Sequence, residues 1–150
     1  MLIARKIPTL VFLTLLLATT ALTGCTDTVN TPSVHDITLA PLNQMPQEIR
    51  QAPVTVREAY QFAIANPEIL EQLPCYCGCG PIGHESNYAC YAAGKDAAGQ
   101  IQYDAHALGC SICVDITQDA MRLLGEGKDI KEIRSYVDNT YAQYGPTNMP

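Results

Sequence analysis

The chain has 150 residues, nine Lys and Arg against fifteen Asp and Glu, a formal net charge of −6, and seven cysteines. An acidic chain of this kind lacks the basic footprint that nucleic-acid binding needs, so nucleic acid is excluded as an expected partner. A folded part of roughly 90 residues buries only one modest core and leans on a metal or on disulfides for support.

The N-terminus reads as an export signal. Arg5 and Lys6 precede an apolar run from Pro8 to Ala21, then Leu22, Thr23, Gly24 and Cys25. The run is too short for a comfortable membrane span, and the small residues present the bond before Cys25 to a peptidase. Residues 1–24 are therefore expected to be a lipoprotein signal peptide, with Cys25 the lipid-anchor residue, carrying a diacylglycerol on its thiol and commonly a fatty acyl chain such as palmitate on its amine. That places the mature protein outside the cytoplasm, held to the lipid bilayer of the cell membrane. Loss of Arg5 and Lys6 makes the mature chain more acidic still, which favours a domain standing off anionic lipid and attracting cations.

Residues 25–53 are polar and rich in Xaa-Pro pairs, at Pro32, Pro41, Pro46 and Pro53, and read as a flexible tether in which His35 has no assigned role. Folding is expected from 54 to 146. Thr55 with Glu58 has the form of a capping box ahead of a helix carrying Val56, Tyr60, Ala63 and Ile64, and Asn66-Pro67 ends that helix and starts a short one from Glu68 to Leu73. Gly94 to Tyr103 reads as a loop or short hairpin turning at Gly99. A helix from about Cys110 to Gly125 buries Ile112, Ile116, Ala120, Leu123 and Leu124. Asp129 with Glu132 caps a last helix bearing Ile130, Ile133, Tyr136 or Val137, and Tyr141, and Gly145-Pro146 stops it. The fold class is mainly α, a small bundle of about four helices with a cysteine-rich loop region.

The chemistry lies between and within these helices. Pro74-Cys75-Tyr76-Cys77-Gly78-Cys79-Gly80 carries three cysteines at alternate positions, which in extended backbone face one way, with glycines that let the chain curl round an ion. His84 and Cys90 follow. His106, Cys110 and Cys113 stand at i, i+4 and i+7, one stripe of a continuous helix, although Gly109 can break it. Even then Cys110-x-x-Cys113 opens a helix, where the positive end of the dipole favours thiolate. Soft thiolates suit Cu(I) and Zn(II), and close Cys-x-Cys spacing fits bridging thiolates better than the paired spacing of zinc knuckles. The expected metal ligands are Cys75, Cys77, Cys79, Cys90, Cys110 and Cys113 with His84 and His106, and the expected ion is copper, with zinc the alternative. Two four-coordinate ions would use all eight donors; a Cu(I)-thiolate cluster would use the six sulfurs.

Two further readings stay open. Six cysteines in an oxidising compartment can form three structural disulfides of an interaction domain, and Cys110 with Cys113 can act as a thiol–disulfide oxidoreductase, Cys110 attacking and Cys113 resolving. Met121 reads as core packing, and Asp104 and Asp115 can orient imidazoles or simply cap and solvate. No Ser-His-Asp constellation or phosphate-binding glycine loop is present, so no catalytic residue is assigned and an enzyme is the less favoured class.

PCYCGCG, Gly83-His84, Ser86-Asn87, Cys90-Tyr91, Tyr103-Asp104-Ala105-His106, Cys110-Ser111-Ile112-Cys113 and the tail Tyr144-Gly145-Pro146-Thr147 together resemble the bacterial lipoproteins named for their PCYCGC motif. The resemblance spans about Pro67 to Pro146 and implies localisation and a grouping of the cysteines more than an activity, since that family is known chiefly as lipoproteins of unassigned function. The C-terminal part is more weakly similar to the membrane-anchored thiol reductases of cytochrome c maturation, through Cys110, Cys113, Leu123 to Lys128 and Tyr144-Gly145. It departs from them in its short gap between the dithiol and Gly127 and in the cysteine comb. The function expected is membrane-tethered binding of soft metal for delivery, buffering or sensing, with a membrane or secreted protein as the metal-receiving partner.

Overall fold

The computed structural model describes residues 37–149; the signal peptide, the anchor at Cys25 and His35 lie outside them. Helices dominate, as the sequence periodicity predicts. In chain order they are α1 (Gln47–Arg50), α2 (Val54–Ala65), α3 (Pro67–Leu70), α4 (His106–Gly109), α5 (Ser111–Gly125) and α6 (Ile130–Tyr141), with strands β1 (Ala92–Lys95) and β2 (Ile101–Tyr103) between α3 and α4. Among the described residues no helix is long and apolar enough to cross a membrane.

α5 organises the packing. Its buried side chains, Cys113, Val114, Ile116, Thr117, Ala120, Leu123 and Leu124, recur at helical spacing and form a face that meets α2 on one flank and α6 on the other. From α2 come Ala59, Tyr60, Phe62 and Ala63; from α6 come Ile133, Val137 and Tyr141. The Tyr60 and Tyr91 rings meet edge to face with centroids 4.9 Å apart, the geometry an aromatic quadrupole favours. Ile112 is only half-buried, because Cys113 and Val114 take the inward positions of that turn.

The local signals divide into those the structure bears out and those it changes. Asp129 accepts from the amides of Lys131 and Glu132, and Glu132 accepts from the Asp129 amide, the reciprocal cap expected of α6. Pro67 stands in the first turn of α3 behind Asn66, as expected, but the helix ends at Leu70 rather than Leu73. Thr55, by contrast, does not cap α2. That helix starts at Val54 behind Pro53, whose φ of −53° presets the first turn, and no side chain caps it. The hairpin pairs Ala92 with Tyr103, Gly94 with Gln102 and Lys95 with Ile101 around a bulge, and Gly99 turns at φ +79°.

The stretch read as tether up to residue 53 is different from that expectation over its second half. Met45 and Ile49 are buried, the Ala40 amide donates to the Gln61 carbonyl at 2.9 Å, and Asn66 Nδ2 donates to the Thr38 carbonyl at 2.8 Å. The prolines explain it. Pro41 and Pro46 each stand immediately before a short helical turn and Pro53 before α2, so fixed φ starts helices here rather than keeping the chain extended.

Candidate metal centre

From Leu73 to Tyr91 the chain has no regular element longer than the single 3-10 turns Gly80–Ile82 and Tyr88–Cys90. Its path is set instead by side chains. Asn87, fully buried, donates through Nδ2 to the Cys113 carbonyl at 3.2 Å and accepts at Oδ1 from Thr117 Oγ1 at 2.7 Å, while its amide donates to the Leu73 carbonyl. The Tyr91 hydroxyl lies 2.9 Å from the same Cys113 carbonyl and 2.7 Å from Thr117 Oγ1. This network ties the cysteine-rich loop to the first turns of α5. Every member is satisfied, which is the condition under which a buried polar network rigidifies rather than weakens a core.

The cysteine comb is bent. Gly78, at φ +80°, turns the chain between Cys77 and Cys79, so the three sulfurs are gathered by a curl rather than by one face of a straight strand. The helical stripe is likewise broken. α4 ends at Gly109, Cys110 is extended at φ −120° and ψ 100°, and α5 begins one residue later with Cys113 in its first turn. Cys110 thus stands at the N-cap of α5, with Cys113 behind it.

All six expected cysteines are free thiols and they converge. Cys113 is the hub, its Sγ lying 3.2 Å from Cys90, 3.2 Å from Cys110, 3.3 Å from Cys75 and 3.7 Å from Cys77. Cys75 is 3.2 Å from Cys77, and Cys79 is 3.9 Å from Cys90. A disulfide requires about 2.05 Å between sulfurs, whereas sulfurs held at about 2.3 Å around one tetrahedral ion lie roughly 3.8 Å apart. The observed separations, 3.2 to 3.9 Å, are all too long for a disulfide and approach the spacing of sulfurs gathered round one ion.

Both histidines join the cluster. Cys77 Sγ is 3.5 Å from His106 Nε2, and the His84 and His106 rings meet edge to face at 5.0 Å. His84 is buried, its Nε2 lies 3.4 Å from Asp104 Oδ2, and its Nδ1 is buried without a hydrogen-bond partner. Donor atoms approach one another within 4.8 Å in three overlapping sets: Cys75, Cys77, Cys79 and Cys90; Cys77, Cys90, His106 and Cys113; and Cys79, His84, Cys90 and His106. The donor chemistry and spacing fit a soft or borderline metal ion, so the cluster could hold one. Of the eight expected ligands, Cys110 alone falls outside these three sets; it touches the cluster through Cys113 and is half-exposed.

The electrostatics follow from crowding. The Cys113 and Cys90 thiols beside Cys75 hold its thiol below the ordinary cysteine range. Hydrogen bonding to Cys75 and Cys90, with burial, pushes Cys113 up. Burial raises Cys77 and Cys79, and Cys90 is raised despite the Cys113 thiol, by its bond to Cys75 and by burial. One thiolate is thus stabilised by its neighbours' protons, and further ionisation requires a cation to replace them.

Three contributors have no role assigned from the sequence. Asn148, in the tail, accepts from the Cys75 amide at 2.6 Å through Oδ1, and its Nδ2 donates to the carbonyls of His84 at 3.0 Å and Ser86 at 3.2 Å. Its amide donates to the Cys75 carbonyl, so the tail straps the loop. Gly145 permits the crossing, since a Cβ there would lie 2.9 Å from the Tyr76 carbonyl oxygen. Asn87 and Thr117 are the other residues that motif reading leaves without a role. Asp115 is exposed and Met121 packs half-buried against the core.

A family model described as a protein of unknown function with PCYCGC motif matches residues 11–150. No curated protein and no solved structure matches the chain. The weaker likeness to cytochrome c maturation thiol reductases has no match behind it.

Proposed function

The chain belongs to the PCYCGC-motif family, whose function is unknown, and from that premise we propose that it is a soft-metal binding protein held outside the cytoplasm by a lipid on Cys25. It takes up Cu(I), in preference to Zn(II), for delivery, buffering or sensing, and passes it to a membrane or secreted acceptor. The carrying observation is Cys113, whose sulfur lies within 3.7 Å of four other thiol sulfurs. Soft, sulfur-only surroundings suit Cu(I) above harder ions. Cys75, Cys77, Cys90 and Cys113 would hold the ion. Cys110, half-exposed at the rim and 3.2 Å from the hub, is the thiol through which an acceptor cysteine can exchange it.

Anaerobic titration of the reduced chain with Cu(I) against a chromophoric chelator tests this. At least one equivalent should transfer to the protein with an ultraviolet thiolate-to-copper charge-transfer band. Retention of all copper by the chelator, with Zn(II) bound instead, would contradict the copper assignment.

The thiol–disulfide alternative draws on one specific feature, a half-exposed Cys110 ahead of a buried Cys113 in the first turn of a helix. On that reading Cys113→Ser would trap a partner through Cys110 as a mixed disulfide.

A further inference from the structure

One carboxylate holds both histidines. Asp104 Oδ2 lies 3.4 Å from His84 Nε2, and Asp104 Oδ1 accepts from the His106 backbone amide at 2.7 Å. Asp104 is itself fixed, because its carbonyl accepts from the buried Tyr60 hydroxyl at 2.7 Å and its amide donates to the Tyr91 carbonyl at 2.9 Å. The Asp104 carboxylate, 3.4 Å from His84 Nε2, favours the tautomer that carries its proton on Nε2 and its lone pair on Nδ1. That nitrogen is buried and has no hydrogen-bond partner, an arrangement costly to maintain unless something binds there. Cys79, Cys90 and His106 offer donor atoms that lie, with a ring nitrogen of His84, within 4.8 Å of one another.

We propose that the cluster has two poles and holds two unlike ions: Cu(I) at the sulfur pole around Cys113, and a borderline divalent ion of the Zn(II) class at a separate pole made by Cys79, His84, Cys90 and His106. Two imidazoles and two thiolates form a tetrahedral set typical of zinc and unlike the all-sulfur surroundings of the first pole. Cys90 joins the poles. Its sulfur is 3.2 Å from Cys113 and 3.9 Å from Cys79, so it is the thiolate placed to bridge both ions. Asp104 is a positioning residue rather than a ligand, the partner that directs His84 Nδ1 inward. This inference rests on the soft-metal reading and adds a second site to it.

The test uses the reduced full chain loaded with Cu(I) and then titrated with Co(II), a spectroscopic stand-in for Zn(II). A further equivalent of Co(II) should bind with the visible bands of a tetrahedral thiolate-imidazole site. His84→Ala and His106→Ala should each lose that equivalent and keep Cu(I). Asp104→Asn is nearly isosteric and still offers an acceptor to the His106 amide, but presents an NH2 group to His84 Nε2, which moves the proton to Nδ1. Its Co(II) affinity should fall about 10- to 100-fold, and this variant decides the matter should His84→Ala not fold. A Cu(I)-loaded chain that takes no Co(II), or histidine variants that bind Co(II) as tightly as the parent, would overturn the second pole and leave the copper reading standing. A chain that binds Co(II) through the histidines but no Cu(I) would remove the copper reading and keep this pole. A chain that binds neither removes both.

Discussion

The α5–α6 hairpin and the loop from Leu73 to Tyr91 have opposite grounds for their shape. The hairpin is set by apolar periodicity, a reciprocal cap at Asp129 and exposed ion pairs such as Arg122 with Asp119 and Glu126. The loop has two single turns and is held by hydrogen bonds to Asn87 and Asn148 and by thiols packed on Cys113. The difference teaches where function resides. The helices are held by apolar packing, whereas the loop crowds thiols that a cation can gather. Metal should therefore order the loop and leave the helices nearly unchanged.

The sharpest way to break the comparison is Cys113→Ala. It removes the sulfur in contact with four others, and copper binding should be lost in the chelator titration while the helical circular dichroism persists; loss of both together would show that the regions are not separable. Acidification comes next. Because Cys77, Cys79, Cys90 and Cys113 are raised, the metal-free cluster keeps their protons near neutrality and binding must expel them. Affinity should therefore fall as pH falls, by about tenfold per unit for each proton displaced, read from chelator competition at several pH values. A flat profile would contradict thiol ligation.

Thr117→Val tests the joint between the regions. It leaves Asn87 Oδ1 without its donor and should cost about 1–3 kcal/mol in chemical denaturation, with weaker metal binding because the Cys113 carbonyl loses its frame. Asp129→Ala touches the hairpin alone. About 1 kcal/mol of stability should go with the cap, and metal affinity should not move.

The hairpin was also the legible region. Its spacing and the Asp129–Glu132 pair predict α6 to the residue at its start, and the class and the convergence of the cysteine groups follow from sequence. Less was legible where two local rules compete. At Pro53 and Thr55 a proline that presets φ begins α2 ahead of the residue suited to cap it, and at Pro41 and Pro46 the same preset φ turns an expected tether into packed structure. Cys75, Cys77 and Cys79 were recognisable as a group, but alternation predicts a straight comb and Gly78 curls it. Thr117 and Asn148 carry no periodic or motif signal, and Asn87 stands in the Ser86-Asn87 pair of the resemblance without an assigned role, since their work is done by long-range hydrogen bonds that only the folded chain brings together. Asp104 was visible beside His106, though not its hold on His84, 20 residues earlier in the chain.

The central claim is that the clustered sulfurs of Cys75, Cys77, Cys79, Cys90 and Cys113 are metal ligands, with Cys110 at their rim. Metal content and accessible thiols, counted on the same sample purified without oxygen, test it most directly. The claim predicts bound copper or zinc, few disulfides, and ligand cysteines that react with an alkylating reagent only after a chelator strips the ion. A metal-free protein with all six cysteines paired as disulfides would contradict it.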